Sequence, residues 1–266
     1  MEHPALSTAR GGLRPRDAAW MERRSTGIEG LLHGLDDDIR ARVLELTRQR
    51  RRVPKGDAVY LAGAPVVALL AVHEGSVKSL AGLPDGRRQL VGFHIVGDIV
   101  GLAGLATGQH ADDAIACEAV EVALLPYLEL ARLARDVPQL HGNLTRLLAV
   151  TSARSRHSVV RLASDNARSR VASFLLQLGE RFARRGHAEG TYSLPLTNQE
   201  LGSLLGLTPE TISRTMSAFV REQLVQREGR RLDLVDAEAL RRIAAQTMLS
   251  RPGHAAGDPP DPGDAV

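Results

Sequence analysis

The residues best placed to do chemistry together lie in the segment LTPETISRTMSAFV, residues 207–220. It carries an acid, a hydroxyl group and a guanidinium on Glu210, Ser213 and Arg214. On a helix these side chains share one face, because residues three and four positions apart are neighbours. Arg can bond O6 and N7 of guanine, Glu can accept from N4 of cytosine, and Ser is adaptable. A carboxylate beside phosphates is repelled, so Glu210 fits a DNA surface only where it reaches a base.

The two faces of this predicted helix differ in polarity. Ile212, Met216, Phe219 and Val220 recur at helical spacing and are predicted to face a core. The polar face would lie against base edges in a major groove, as recognition helices do. An ordinary solvated face, with a Glu–Arg pair at positions i and i+4, is the alternative. The residues that we predict to contact DNA, one of them from a hairpin further along the chain, are Thr208, Glu210, Thr211, Ser213, Arg214, Ser217 and Arg230.

A second short helix is predicted directly upstream, in LPLTNQELGSLLGL (194–207). Thr197 and Glu200 have the spacing of a capping box, and Gly206 is a residue type that ends helices. After a tight turn, Thr208 can cap the next helix, with Pro209 at its first position. Two short helices that meet at a sharp turn form a helix-turn-helix.

The segment LVQREGRRLDLVD (224–236) predicts two short strands around EGRR, and DAEALRRIAAQ (236–246) predicts a final helix. A hairpin at this place is a wing. Its arginines, Arg227, Arg230 and Arg231, would lie where a wing meets phosphate. A helix-turn-helix followed by a wing is a DNA-binding architecture.

One long amphipathic helix of about 25 residues is predicted after Pro138. A narrow stripe on so long a helix is typical of a coiled-coil seam, which predicts that the helix pairs with its twin. The alternative is packing on its own domain. The stripe recurs at steps of three and four, at Leu140, Leu144, Leu147, Leu148, Thr151, Ser155, Val159 and Leu162.

The region before this helix predicts a β-rich domain. Short apolar runs broken by glycine between 53 and 126 predict many short antiparallel strands, as in a barrel or β-roll. The PDG at 84–86 is a turn signal. The segment 36–53 begins with acids and places apolar residues at helical spacing, so a helix is predicted there, with Arg50–Arg52 as its solvated end.

Composition and charge narrow the function classes. The chain has 266 residues, 43% of them apolar, which suits two modest domains. Residues 137–248 carry sixteen Lys and Arg against ten Asp and Glu, whereas 27–136 carry twelve against fifteen, so a polyanionic partner is predicted for the C-terminal half. The longest apolar run, 64–72, is about half of the roughly 20 residues that cross a bilayer, so no membrane partner and a cytoplasmic location are predicted.

The sequence shows no Ser–His–Asp set, no metal-ligand spacing and no phosphate-binding loop, so no enzyme is predicted.

The single cysteine, Cys117, excludes internal disulfides and multi-cysteine metal sites. It lies in AIACEAVEVALL (114–125), which predicts a buried strand with Cys117 as a core thiol.

Three segments, GFHIVGDIVG (92–101), DNARSRVASFLLQLGERFARRG (165–186) and LGLTPETISR (205–214), resemble the Fnr branch of the Crp/Fnr family of bacterial transcription regulators. The resemblance extends over nearly all of 27–248. It implies a homodimer on a two-fold DNA operator, with RNA polymerase as a partner of β-roll loops such as PDGRRQ. The family's Glu, Ser and Arg fall on Glu210, Ser213 and Arg214, which implies half-sites resembling TTGAT.

Two departures from the family bear on cofactors. The positions where cyclic-AMP receptors hold the nucleotide phosphate correspond to Gly101, Leu102, Asp112 and Asp113, and acids there repel a phosphate. Of the four cysteines that hold the iron–sulfur cluster of oxygen-sensing members, none is in residues 1–35, and Ala123 takes the fourth position.

The chain is therefore closer to cysteine-lacking members resembling FixK, Nnr and Dnr, which regulate microaerobic or denitrification genes. Some of those sense nitric oxide through haem. The histidines in or near the β-roll, His73, His94 and His110, show no ligand spacing. We predict no cofactor, neither cAMP nor an iron–sulfur cluster; the alternatives are a haem-based nitric oxide or redox sensor and a sensor module that acts by protein contact.

The expected architecture is α+β in five parts. Residues 27–136 are predicted to form a β-roll sensor domain, a jelly roll like those that bind cyclic nucleotides. Residues 137–164 are the dimerisation helix and 165–248 the winged helix-turn-helix. Residues 1–26 and 249–266 are predicted to be disordered tails, because they are polar, without periodicity, or rich in Pro, Gly and Asp.

Overall fold

The computed structural model describes residues 27–186, 188 and 190–246; the predicted tails lie outside them. The chain divides into two compact units, which meet in sequence at Ser155 and Arg156 and are described in turn. None of the helices in the described part is long and apolar enough to cross a bilayer.

The first unit is built on two antiparallel four-stranded sheets. Its strands are β1 (Arg50–Val53), β2 (Ala58–Tyr60), β3 (Ala68–Glu74), β4 (Ser76–Gly82), β5 (Arg88–Ile95), β6 (Ile99–Val100), β7 (Asp113–Ala116) and β8 (Val120–Pro126). The strand orders are β1-β8-β3-β6 and β2-β7-β4-β5. Leu83 and Gly86 bracket the predicted turn between β4 and β5, where Gly86 has φ of +81°. The many short antiparallel strands are confirmed.

Short helices close this β-roll. They are α1 (Ile28–Leu32), α2 (Asp37–Leu46), a 3₁₀ helix (Leu102–Ala106) and α3 (Tyr127–Asp136). The helix predicted from the acids at 36–38 is therefore present as α2, and α1 was not predicted. Residues from α1, α2, α3, β3 and β8 share one buried apolar cluster, which fixes these helices to the sheet.

The prediction for Arg50–Arg52 is wrong, because they begin strand β1 instead of ending a helix. On a strand, Arg50 and Arg52 point to the same side. Both bond the carboxylate of Glu121 on the neighbouring strand β8, at N···O distances of 3.0 and 2.9 Å. The hydrogen bonds from Arg52 and Arg50 hold the pKa of Glu121 below its ordinary value. These cross-strand pairs let a strongly basic segment form the edge of a sheet.

The segment around Cys117 also differs from the prediction. It forms two strands, β7 and β8, and Cys117 lies in the bend between them. The thiol is buried and forms no disulfide, as expected of a core thiol.

The long helix α4 begins at Pro138 and ends at Ser164, 27 residues, as its periodicity predicts. Leu140, Leu144 and Leu147 of the predicted seam are buried in the cluster that holds α1–α3, so these three belong to the core of their own unit. Asn143 reinforces this packing, because its side-chain amide donates to the carbonyl oxygens of residues 31 and 33, at 2.9 and 2.7 Å. Leu148 stays 39% exposed.

The second unit contains the predicted helix-turn-helix and wing. Its elements after α4 are α5 (Ala167–Ala183), β9 (Thr191–Ser193), α6 (Asn198–Leu205), α7 (Pro209–Arg221), β10 (Val225–Glu228), β11 (Arg231–Leu234) and α8 (Ala237–Ala244). Strand β9, which was not predicted, pairs with β11 and makes the wing a three-stranded sheet. Tyr192 of β9 is buried and donates its hydroxyl to the carbonyl oxygen of Leu175 on α5, at 2.8 Å. The wing is thereby fixed to the helical core.

Candidate nucleic-acid interface

The turn between α6 and α7 follows from local sequence signals. Thr197 and Glu200 form the predicted capping box at the start of α6. Gly206 ends α6 with φ of +62°, a left-handed conformation that favours glycine. Gly202 allows the second helix to approach, because a Cβ there would lie 2.5 Å from the carbonyl oxygen of Leu207. These residues set the angle at which α7 leaves the turn.

The second helix of the helix-turn-helix, α7, packs through one apolar stripe. Ile212, Met216 and Phe219 are buried, as predicted, together with Thr215. Val220 is 46% exposed, so its predicted place in the core is wrong. At 3.6 residues per turn it lies about 80° around the helix from Ile212, which is the edge of the stripe.

The opposite face of α7 is exposed and polar, and it brings together four of the predicted residues: Glu210, Ser213, Arg214 and Ser217. The pKa of Glu210 lies below its ordinary value, because its own backbone N–H, the Thr208 hydroxyl and the charge of Arg214 favour the carboxylate. Glu210 is therefore a hydrogen-bond acceptor at neutral pH. Among the described residues, no ion pair closes between Glu210 and Arg214, so the guanidinium is available to a ligand.

Thr208 caps the N-terminal end of α7 by bonding to Thr211. The Thr208 hydroxyl accepts from the backbone N–H of Thr211 at 3.2 Å and lies 3.0 Å from the Thr211 hydroxyl. Thr208 is thus the N-cap of α7, with Pro209 at the first position, as predicted. Both threonines lie at the N-terminal end of α7, close to Glu210 and Arg214.

The guanidinium groups of the three wing arginines differ in their hydrogen-bond partners. Arg231 is paired with Asp233 at 3.2 Å, and Arg227 donates to the carbonyl oxygen of Gly229 at 3.2 Å. Arg230 is exposed at the tip, and its guanidinium has no partner within the described residues. It is therefore the wing arginine best able to meet a phosphate.

Two arginines of α5 support α7 and were not predicted. Arg168 forms two hydrogen bonds with the carboxylate of Glu222, at 3.0 and 2.6 Å, and its guanidinium lies 5.0 Å from the centre of the buried Phe219 ring. It therefore holds the C-terminal end of α7 against α5. Arg170 donates to the carbonyl oxygens of Leu205 and Gly206, at the turn between α6 and α7. Both lie in DNARSR (165–170), where spacing alone did not separate them from surface arginines.

Two of the β-roll positions that were predicted to correspond to a nucleotide phosphate site, Asp112 and Asp113, make internal contacts. The hydroxyl of Tyr60 donates to Asp112 at 3.0 Å. Asp113 accepts from the backbone N–H of Ala62 at 2.8 Å and pairs with Arg88 at 3.1 Å. Neither carboxylate therefore offers a place for an anion.

The three histidines of this region are spread over different environments. His110 is buried and stacked on Tyr60, with 3.6 Å between ring centres, and burial lowers the pKa of His110. His94 shares a hydrogen bond with Ser79 at 3.0 Å, and His73 is exposed. The structure does not bring them together.

Comparison with known proteins agrees with this geometry. Residues 50–136 match the cyclic nucleotide-binding domain, and residues 169–243 match the Crp-like helix-turn-helix domain. The transcriptional regulatory protein btr of Bordetella pertussis is 34% identical over 202 residues, which cover 76% of this chain and 84% of that protein. The chain belongs to the Crp/Fnr family of transcription regulators.

Further relatives of this Crp/Fnr regulator cover the same region. The fumarate and nitrate reduction regulatory protein of Escherichia coli is 30% identical over 202 residues, 76% of this chain and 81% of that protein. The solved structure of FixK2 from Bradyrhizobium japonicum has a TM-score of 0.66 and 29% identity, and the match covers 74% of this chain and 98% of that one. The predicted fold class, a β-roll, a long helix and a winged helix-turn-helix, is confirmed.

Proposed function

We propose that this Crp/Fnr regulator binds, as a homodimer, a two-fold DNA operator whose half-sites resemble TTGAT. The observation that carries the proposal is the exposed face of α7. There an ionised Glu210 can accept hydrogen bonds from base edges, and Ser213 can accept or donate. Arg214, which has no ion-pair partner among the described residues, can donate to them. Ser217 lies on the same face, and Thr208 and Thr211 lie at the N-terminal end of α7. Arg230 is the proposed phosphate contact of the wing.

The proposed dimer uses the part of the α4 stripe that is not in the core. That part begins at Leu148 and continues with Thr151, which is half-buried, and Ser155, which is exposed. An exposed leucine followed at helical steps by small side chains allows two helices to approach closely. A two-fold operator needs such a pair, because its recognition helices must lie about one DNA turn, roughly 34 Å, apart.

The regulated genes are proposed to serve microaerobic or anaerobic respiration or denitrification. A relative bears the name fumarate and nitrate reduction regulatory protein, and the solved structure of FixK2 has a similar fold. We further propose that the protein works in the cytoplasm, that β-roll loops including PDGRRQ (84–89) contact RNA polymerase, and that the chain has no enzymatic activity.

The proposed function is tested by titrating a labelled duplex that contains two inverted TTGAT-like half-sites with the full chain, and a scrambled duplex of equal length as control. We expect specific binding at least about 1,000-fold tighter than binding to the scrambled duplex at physiological salt. Sedimentation of the complex should give two chains per duplex. Equal affinity for both duplexes would contradict the proposal and favour a sensor module that acts by protein contact.

A second prediction concerns the part of DNA binding that does not depend on the DNA sequence, which we assign to the wing. Arg230→Ala should weaken binding to all duplexes alike and reduce the salt dependence of binding by about one phosphate contact, because Arg230 is free to meet a phosphate. Arg231→Ala is the matched control, since Arg231 is already paired with Asp233. A loss confined to the operator in Arg230→Ala would show that this residue reads bases instead.

We propose that no iron–sulfur cluster and no cAMP take part. A [4Fe–4S] cluster is normally held by four thiolates, and the chain offers one cysteine, buried Cys117. A cyclic nucleotide would place its phosphate against Asp112 and Asp113, which are already bonded within the β-roll. The described residues therefore do not fit either group.

Anaerobic reconstitution with iron and sulfide tests the proposal that the protein holds no iron–sulfur cluster. We expect no stoichiometric iron to remain with the protein after desalting, and equal operator binding with and without oxygen. About four irons per chain, lost in Cys117→Ala, would contradict the proposal. An absorption spectrum of protein purified without oxygen tests the haem alternative in the same sample, because bound haem would show there.

A further inference from the structure

Arg170 joins three segments of the second unit. It lies in the first turn of α5, and its guanidinium donates to four backbone carbonyl oxygens. Nε donates to Asp165 at 3.0 Å and Nη2 to Leu162 at 2.6 Å, both at the C-terminal end of α4. Nη1 donates to Leu205 at 3.1 Å and to Gly206 at 3.2 Å, at the end of α6.

The two helix ends that meet at Arg170 suit a cation. The last carbonyl groups of a helix have no partner within it and carry the negative end of the helix dipole. Arg170 therefore satisfies carbonyls from the ends of both α4 and α6 with one planar group. Lysine could not replace it, because its three donors radiate from one atom and do not form the fork of a guanidinium.

The packing at this point is close. A Cβ at Gly206 would lie 2.9 Å from Cδ2 of Leu162, so the turn of the helix-turn-helix lies directly against the last turn of α4. The end of α4 is itself reinforced by an ion pair between Arg161 and Asp165 at 3.0 Å. The turn is thus held against the end of α4 by the hydrogen bonds of Arg170 and by packing on Leu162.

We infer that Arg170 is a positioning residue: it fixes the helix-turn-helix to the end of α4 and thereby sets where the recognition helix α7 is presented. The inference rests on the proposed two-fold operator, because only such a site requires the two recognition helices at one spacing. Arg170 contributes no base contact in this account. Its loss should leave the reading of a half-site intact and relax the requirement for spacing between half-sites.

The experiment uses the full chain with three duplexes: the two-fold operator, the same operator with one base pair inserted at its centre, and a single half-site. For the natural chain, the insertion should lower affinity by about tenfold or more, because it moves the half-sites by about 3.4 Å and rotates them. In Arg170→Lys this difference should shrink to less than about threefold, with half-site affinity within about twofold of the natural chain. Arg168→Lys is the matched control on the same helix and should keep the spacing preference, because lysine can still pair with Glu222.

Retention of the full spacing preference in Arg170→Lys would overturn the inference. So would loss of half-site binding together with a lowered melting temperature, because Arg170 would then serve the stability of the winged helix and not its placement. If the natural chain itself tolerated the insertion, the two-fold operator would be wrong, and the inference would fall with it. This last outcome is distinguished from the others because it is measured on the unmodified chain.

Discussion

Replacing Arg214 with alanine should weaken operator binding by about 1–3 kcal/mol and relax the preference at the guanine that it reads. The side chain is exposed on α7 and has no ion-pair partner among the described residues. Its removal therefore breaks no ion pair within the described part of the chain. The measurement is a titration of duplexes in which each base pair of the half-site is replaced in turn, at constant salt.

Arg221→Ala is the control for the loss of charge. Arg221 is an exposed arginine at the C-terminal end of the same helix, away from the residues that enter a groove first. Its loss should lower affinity for operator and scrambled duplexes to a similar extent. If Arg214→Ala behaves like Arg221→Ala, with no change in base preference, Arg214 does not read a base.

The second large effect is expected at Leu148. Leu148→Glu should dissociate the proposed dimer, because a carboxylate buried between two α4 helices is costly unless it is paired. Two linked half-site contacts would then become one, so operator affinity should fall on the order of 100-fold or more. Sedimentation at micromolar concentration should show single chains.

Leu44→Glu is the matched control for this substitution. Leu44 is a helical leucine of similar exposure, 43% against 39% for Leu148, but it lies on α2 outside the α4 stripe. It should leave the dimer and operator binding unchanged. An unchanged dimer in Leu148→Glu would place the interface elsewhere.

Local signals were sufficient to predict the helix-turn-helix. The capping box of Thr197 and Glu200, Gly206 and the Thr208–Pro209 pair act within a few residues of one another, and the structure has all of them in the predicted roles. The polar face of α7 was predictable for the same reason, because one helical period fixes it. Val220 was misplaced because periodicity does not give the width of an apolar stripe.

Contacts between distant segments could not be predicted in this way. Arg50–Arg52 lie on a strand beside β8, where the carboxylate of Glu121, about 70 residues later, bonds two of them. The first leucines of the α4 stripe face the core of their own unit because α1 and α3 cover them, and the stripe alone cannot distinguish such a partner from a twin helix. Arg170 bonds carbonyls up to 36 residues away, and backbone acceptors leave no trace in sequence.

The measurement that tests the central claim most directly is selection of DNA by the full chain from a pool of random duplexes, followed by sequencing of the bound fraction. The account predicts enrichment of two inverted TTGAT-like half-sites, with centres about one DNA turn apart. The same selection with Arg214→Ala should lose the preference at one base pair of each half-site and keep the spacing. An unenriched pool, or enrichment of a single half-site without its inverted partner, would contradict the proposal that this chain reads a two-fold operator through α7.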